Sequence, residues 1–147
     1  MRSLLLVLIC VAGCAPEPAL LLGSGEVDFE EVDDGDSMPV IQGPQGGFHL
    51  LASLLVAGVE AGDRRNLSDD RNPLITLDVE LGGASLILIS PFVQGLAEAP
   101  DALRPWTHQL IGRFAILDIA ADHELDGATV TLSARVDDVH GVVVSDS

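Results

Sequence analysis

From Leu74 to Leu81 the chain alternates strictly: Ile75, Leu77, Val79 and Leu81 share one parity, against Leu74, Thr76, Asp78 and Glu80 on the other. Successive side chains point to opposite faces only in an extended chain, whereas a helix would space its apolar residues three and four apart. Thr129–Asp137 alternates in the same way. A strand with one apolar and one wet face must lay the apolar face on another layer, and for an antiparallel sheet without helices that layer is a second sheet.

The remaining pattern fits that solution. Residues 26–32 alternate as an edge strand before the turn Asp33-Asp34-Gly35-Asp36, and 38–42 forms a short strand ending at the glycine-rich connection 43–47. Phe48–Val59 is apolar on both parities and lies between Gly47 and Gly58, which suits a strand buried on both faces better than its rival, a leucine-rich helix. His49 is expected on the less buried face of this strand, hydrogen-bonding locally. Residues 60–73 read as a polar loop. Gly82-Gly83-Ala84-Ser85 reads as a hairpin leading into a strand over 86–93, in which Pro91 marks an end or edge. A second long loop spans 94–105 and a strand 108–117. A turn or short helix covers 118–127, and the turn 138–141 leads to a last strand over 142–145. Seven or eight short strands with no convincing helix predict an all-β fold, a single two-sheet antiparallel sandwich over residues 25–147. In strand count and spacing this resembles immunoglobulin-like and fibronectin-like domains. The Cys…Trp…Cys signature and the tyrosine corner of that class are both absent.

The first fourteen residues have another character. Arg2, the apolar run Leu4–Ala12 and the small-residue ending before Cys14 follow the three-part layout of a secretion signal. The run is shorter than the roughly 20 apolar residues that span a bilayer. Val11-Ala12-Gly13-Cys14 resembles the lipobox of bacterial lipoproteins. That resemblance implies cleavage before Cys14, lipidation of its sulfur and amine, and anchoring by more than one chain, which is stable where one chain is marginal. The division expected is therefore a signal peptide over 1–13, a lipidated Cys14 with a flexible linker over 14–24, and the sandwich over 25–147. Extended, residues 15–24 could reach about 33 Å at roughly 3.3 Å each. The implied location is the cell envelope, and Ala15 in place of an aspartate after the cysteine favours the outer membrane. Cys10 would leave with the leader and Cys14 would carry lipid, so the mature domain has no thiol for a disulfide.

Charge narrows the partners. All 23 acidic residues follow Gly13, while six of the seven arginines do, which leaves the mature chain at a formal charge of −17. Such a surface does not suit nucleic acid, whose binding depends on cations neutralising phosphates. No phosphate-cradling glycine loop opens a helix, so a nucleotide is not expected either. With one tryptophan and no tyrosine, the chain has little from which to build an aromatic platform for sugars.

Chemistry-bearing constellations are few. Asp122, Glu124 and Asp126 alternate before Gly127, partly like the start of an EF-hand loop, but Glu124 and Ser133 break that pattern and a strand follows. These residues, and Asp33, Asp34 and Asp36, are the places where calcium could be held by oxygen ligands; the same residues equally suit solvated turns. His49, His108, His123 and His140 lack metal-ligand spacing. No nucleophile elbow occurs, and no enzymatic role, cofactor or catalytic residue is expected. Three connections, 60–73, 94–107 and 137–141, should gather at one end of a sandwich. They would carry Arg64, Arg65, Arg71, Trp106, His108, Asp137, Asp138 and His140, and arginine and tryptophan are enriched at interface hot spots. The expectation is a membrane-anchored, non-catalytic binding or structural module that meets an envelope protein or glycan through these loops, with a calcium-dependent envelope or adhesion component as the alternative and a hydrolase further off.

Overall fold

A computed structural model describes residues 16–147. The leader, the lipobox and Cys14 lie outside the described residues. The strands in chain order are β1 (Ala19–Ser24), β2 (Glu30–Glu31), β3 (Ile41–Gln42), β4 (Phe48–Ala57), β5 (Leu74–Leu81), β6 (Ala84–Ser85), β7 (Phe92–Val93), β8 (Ala97–Glu98), β9 (His108–Leu117), β10 (Thr131–Asp137) and β11 (Val143–Asp146). One sheet runs β2-β1-β4-β9-β8, with β3 also on β4; the other runs β11-β10-β5-β6, with β7 also on β5. Every pairing is antiparallel. The result is an all-β sandwich.

The core lies where the two inner faces meet. Leu50, Ala52, Leu54 and Val56 of β4 pack in one cluster with Ile75, Leu77 and Val79 of β5 and with Ala134 and Val136 of β10. Leu54, Val56, Ile75, Val79 and Val136 are fully buried. Each such side chain contributes on the order of 1.5–3 kcal/mol relative to exposure, and with no disulfide among the described residues this burial is the main stabilising term.

Strict alternation fails once, in β9. Leu110 faces the core, but so do Ala115 and Leu117, which have the opposite parity. The pairing moves from Ala52↔Arg113 to Leu54↔Leu110, so Ile111 and Gly112 together oppose Ser53. Gly112 takes φ +65°, a left-handed value that glycine adopts without strain, and a side chain there would collide with the Glu26 carbonyl. Ser53, fully buried, closes the bulge: its hydroxyl donates to the Gly25 carbonyl at 3.0 Å and accepts from the Gly112 N–H at 2.9 Å. The bulge turns Arg113 inward, with its guanidinium carbon 4.1 Å from the centre of the Phe92 ring.

Several expectations need correction. Residues 19–24 are not linker: they form β1, paired with β4 from Ala19↔Ala57 to Gly23↔Ser53, with Leu20 and Leu22 buried. The run Leu20–Leu22 is too short to show a period by itself, and its partner β4 supplies the missing information. Of the edge strand expected over 26–32, only Glu30–Glu31 pairs. Of the strand expected over 86–93 only Phe92–Val93 forms, because between β6 and β7, which both pair with β5, the chain leans over to bridge β9 at Ile87↔Leu117. Leu86 donates to the Val79 carbonyl in one sheet, while Leu88 donates to Ile116 and Leu86 accepts from Asp118 beside the other. The 118–127 connection, by contrast, holds the short helical turn expected of it, a 3-10 turn at Asp122–Leu125. His49 lies on the face of β4 turned away from the core, as expected, but it is covered there: it is buried against Phe114, with ring centres 4.2 Å apart.

Candidate functional site

The loop between β4 and β5 is built from a three-residue repeat. Asp63, Asn66, Asp69 and Asn72 stand three apart, and the N–H of each of the last three donates to the carbonyl of the one before it, at 3.0–3.1 Å. The side chains of the first three accept from the N–H two residues on, in Arg65, Ser68 and Arg71. These are successive Asx turns, which short polar side chains form by imitating backbone. Asn72 closes the loop. It is buried, its Oδ1 accepts from the Asp63 N–H at 2.8 Å, and its Nδ2 donates to the Asn66 carbonyl at 2.8 Å.

Two neighbours fix this loop in place. Residues 94–96 press on it so closely that a side chain on Gly95 would stand 2.4 Å from the Arg64 amide nitrogen, and Leu96 donates to the Ala61 carbonyl at 2.8 Å. From the other sheet, Asp138 is buried beneath the β10–β11 turn. Its Oδ2 accepts from the Glu60 N–H at 2.9 Å and its Oδ1 from the N–H groups of His140 and Val142, both at 2.8 Å. Burial pushes the Asp138 carboxyl up, but the three backbone donors and His140 nearby outweigh it and hold it below the usual carboxylate range.

The three connections thus meet at one end of the sandwich. Between the first two of them and the start of β9 lies an open cleft of about 590 Å³ lined by Asp63, Arg64, Arg65, Glu98, His108 and Gln109 over a floor that includes Ala61 and Leu96. Arg64 and Arg65 are exposed. His108 is half-buried, and its Nδ1 is 3.0 Å from the Thr107 hydroxyl. The cleft therefore offers two guanidinium groups, two carboxylates, an imidazole and an amide, a set that matches polar partners carrying both signs of charge.

The other expected residues are placed differently. Arg71 is turned away into a two-pronged ion pair with Asp69, 3.0 and 2.8 Å, whose hydrogen bonds lower the Asp69 carboxyl and raise the Arg71 guanidinium. Asp137 is paired with Arg135 on the outer face of the second sheet, which lowers the Asp137 carboxyl. His140 is exposed, 3.9 Å from Glu60. Trp106 is half-buried, and its backbone N–H donates to the Leu103 carbonyl at the end of a 3-10 turn. Neither it nor Arg71, Asp137 or His140 lines the cleft. Sequence reasoning missed Glu98 and Gln109, which reach the cleft only because β8 pairs with β9 at Ala97↔Gln109 and Glu98↔His108. Sequence reasoning also passed over the Asx repeat, although its signal, Asp or Asn at every third position from 63 to 72, is in the sequence.

The acidic turns hold themselves. The Asp36 carboxylate accepts from the Asp33 N–H, and Glu124 accepts from the N–H groups of Ala120 and Ala121. Among the described residues no three His, Cys, Asp or Glu side chains converge as a metal site, and no helix is long and apolar enough to cross a membrane. No protein-family model, no curated protein and no solved structure matches this chain.

Proposed function

We propose that this chain is an envelope lipoprotein, anchored through lipid on Cys14, whose sandwich is a non-catalytic binding module. The lipobox-like Val11-Ala12-Gly13-Cys14 after an apolar run supports the anchor, and Ala15 in place of an aspartate after the cysteine supports an outer-membrane location. The observation that carries the binding role is the cleft between Arg64, Arg65, Glu98 and His108, where two exposed arginines stand on a loop that its own hydrogen bonds hold in shape, facing residues of β8 and β9. Preorganised loops on a rigid scaffold are where binding surfaces are commonly built. The partner is an envelope protein or glycan presenting both charges.

Two measurements test this reading. The mass of the N-terminal peptide from the envelope fraction should equal that of a lipidated Cys14; an unmodified Met1 in a soluble fraction would remove the anchor. A photoreactive residue placed at Arg65 or Glu98 in living cells should give one discrete adduct, and the same residue at Thr76 on the opposite sheet none. Equal labelling from all three positions would remove the cleft as the binding site.

A further inference from the structure

We infer that the cleft-bearing end of the sandwich rests directly on the bilayer surface, so that whatever enters the cleft is met at the membrane. This depends on the lipid-anchor reading above and extends it from attachment to orientation. The argument is one of chain length. A side chain on Gly58, whose φ is +68°, would stand 2.6 Å from the Pro18 amide nitrogen and 2.7 Å from the Pro16 carbonyl oxygen. Residues 16–18 therefore already lie along the domain, against Gly58 at the end of β4. Only two Cα steps separate Cys14 from Pro16, at most about 7.6 Å at 3.80 Å each. A lipid on Cys14 leaves the domain no room to stand clear of the headgroups.

Strand register says which end is held. Ala19 pairs with Ala57 and Val56 with His108, so the start of β1, the end of β4 and the start of β9 lie at the same end. Within the first sheet the row Leu21, Leu55, Gln109, Ala97 leads from the tethered strand to the cleft in three strand spacings, about 14 Å at roughly 4.8 Å each. Loop 58–73 brings Arg64, Arg65 and an exposed Leu67 to that end, and Arg104 stands in the loop before β9. With Arg71, four of the six arginines after Cys14 are at the tethered end; Arg71 and Arg104 are paired with Asp69 and Asp101, and the same end also carries Glu60, Asp63, Asp70 and Glu98, so among the described residues Arg64 and Arg65 are the arginines there outside any ion pair. Guanidinium groups beside an apolar side chain suit an interface where the charge meets headgroups and the stem lies against acyl carbon. The opposite end, where β9 stops at Leu117 beside Phe48, carries Asp118, Asp122, Glu124 and Asp126 and no arginine.

The orientation is read by depth-dependent quenching. After lipidation of Cys14 the mature protein has no other thiol, so Leu67→Cys and Ala128→Cys each give one labelling position, at the tethered and distal ends. The labelled lipoproteins are reconstituted into phosphatidylethanolamine and phosphatidylglycerol vesicles containing a nitroxide-headgroup lipid. The label at 67 should be quenched several-fold more than the label at 128, because ten residues of β4 separate the two ends by about 33 Å. A flexible Gly-Ser insertion between Ala15 and Pro16 should reduce quenching at 67 while flotation with the vesicles is unchanged. Equal quenching at both positions in protein that floats overturns the orientation and leaves the anchor standing. Protein that does not float and carries no lipid on Cys14 overturns the anchor, and the orientation with it.

Discussion

Asp146, in the last strand, accepts a hydrogen bond from the Leu22 N–H in the first, at 2.8 Å across 124 residues of sequence. β1 belongs to one sheet and β11 to the other, so a single side chain ties the two sheets at their shared edge. Leu22 is buried, and its N–H would otherwise face the seam without a partner. Asp146→Ala should therefore destabilise the domain by about 1–3 kcal/mol, the cost of a stranded buried donor, seen as a lower urea midpoint at an unchanged slope. An unaltered midpoint would show that water replaces the carboxylate there.

The bulge in β9 predicts a second cost. Ser53→Ala removes both the donor to the Gly25 carbonyl and the acceptor for the Gly112 N–H, in a site with no solvent access. About 1–3 kcal/mol of destabilisation is expected by thermal or chemical melting. Gly112→Ala should cost at least as much, because it adds left-handed strain to a collision with the Glu26 carbonyl.

These two sites also mark how far the sequence could be read. Leu74–Leu81 shows its register openly because each residue is either in the core or in water, and β5 falls where the alternation places it. In β9 the same rule misassigns everything after the bulge: it puts Phe114 with Leu110, whereas Phe114 is exposed and Arg113 is turned in. The glycine at 112 was visible, but its left-handed φ follows from Glu26 passing over it, a contact between distant parts of the chain. β1 was hidden for a related reason, since six residues show no period and their strand character comes from pairing with β4. For the site, the grouping of three connections at one end followed from strand count, while Glu98 and Gln109 depended on a two-residue strand too short to leave a pattern.

Gly95 tests whether the cleft is held by close packing of its loops. Gly95→Ala places a methyl group 2.4 Å from the Arg64 amide nitrogen and 2.7 Å from the Asn72 side-chain oxygen, both parts of the Asx-turn loop. Overpacking of this kind costs about 1–3 kcal/mol, and the loop has to move to relieve it. The expected result is a melting temperature several degrees lower, together with faster amide hydrogen exchange at Asp63 and Asn66, while exchange in β5 and β10 changes only as global stability does.

Asp138 should make part of the stability pH-dependent. Its carboxyl is held below the usual range in the folded state by the Glu60, Val142 and His140 N–H groups, despite burial that acts the other way. A carboxyl whose folded pKa is depressed binds its proton more readily when unfolded, so its contribution is present above the unfolded value of about 3.9 and is lost as the pH falls through the lower folded value. Asp69 and Asp137 are lowered as well, by Arg71 and Arg135, but those pairs are exposed and solvent-screened and so weigh less. Asp138→Ala should lower the melting temperature at pH 7 by leaving three backbone donors without their acceptor, and should flatten the dependence of stability on pH below 4. Asp138→Asn distinguishes charge from hydrogen bonding: its amide oxygen can still accept, but its NH₂ group confronts a donor on the other side, so it should fall between the wild type and Asp138→Ala at pH 7. If Asp138→Ala keeps the full acid dependence of the parent, the titrating group lies elsewhere, and the clamp between the Glu60 loop and the β10–β11 turn is not electrostatic.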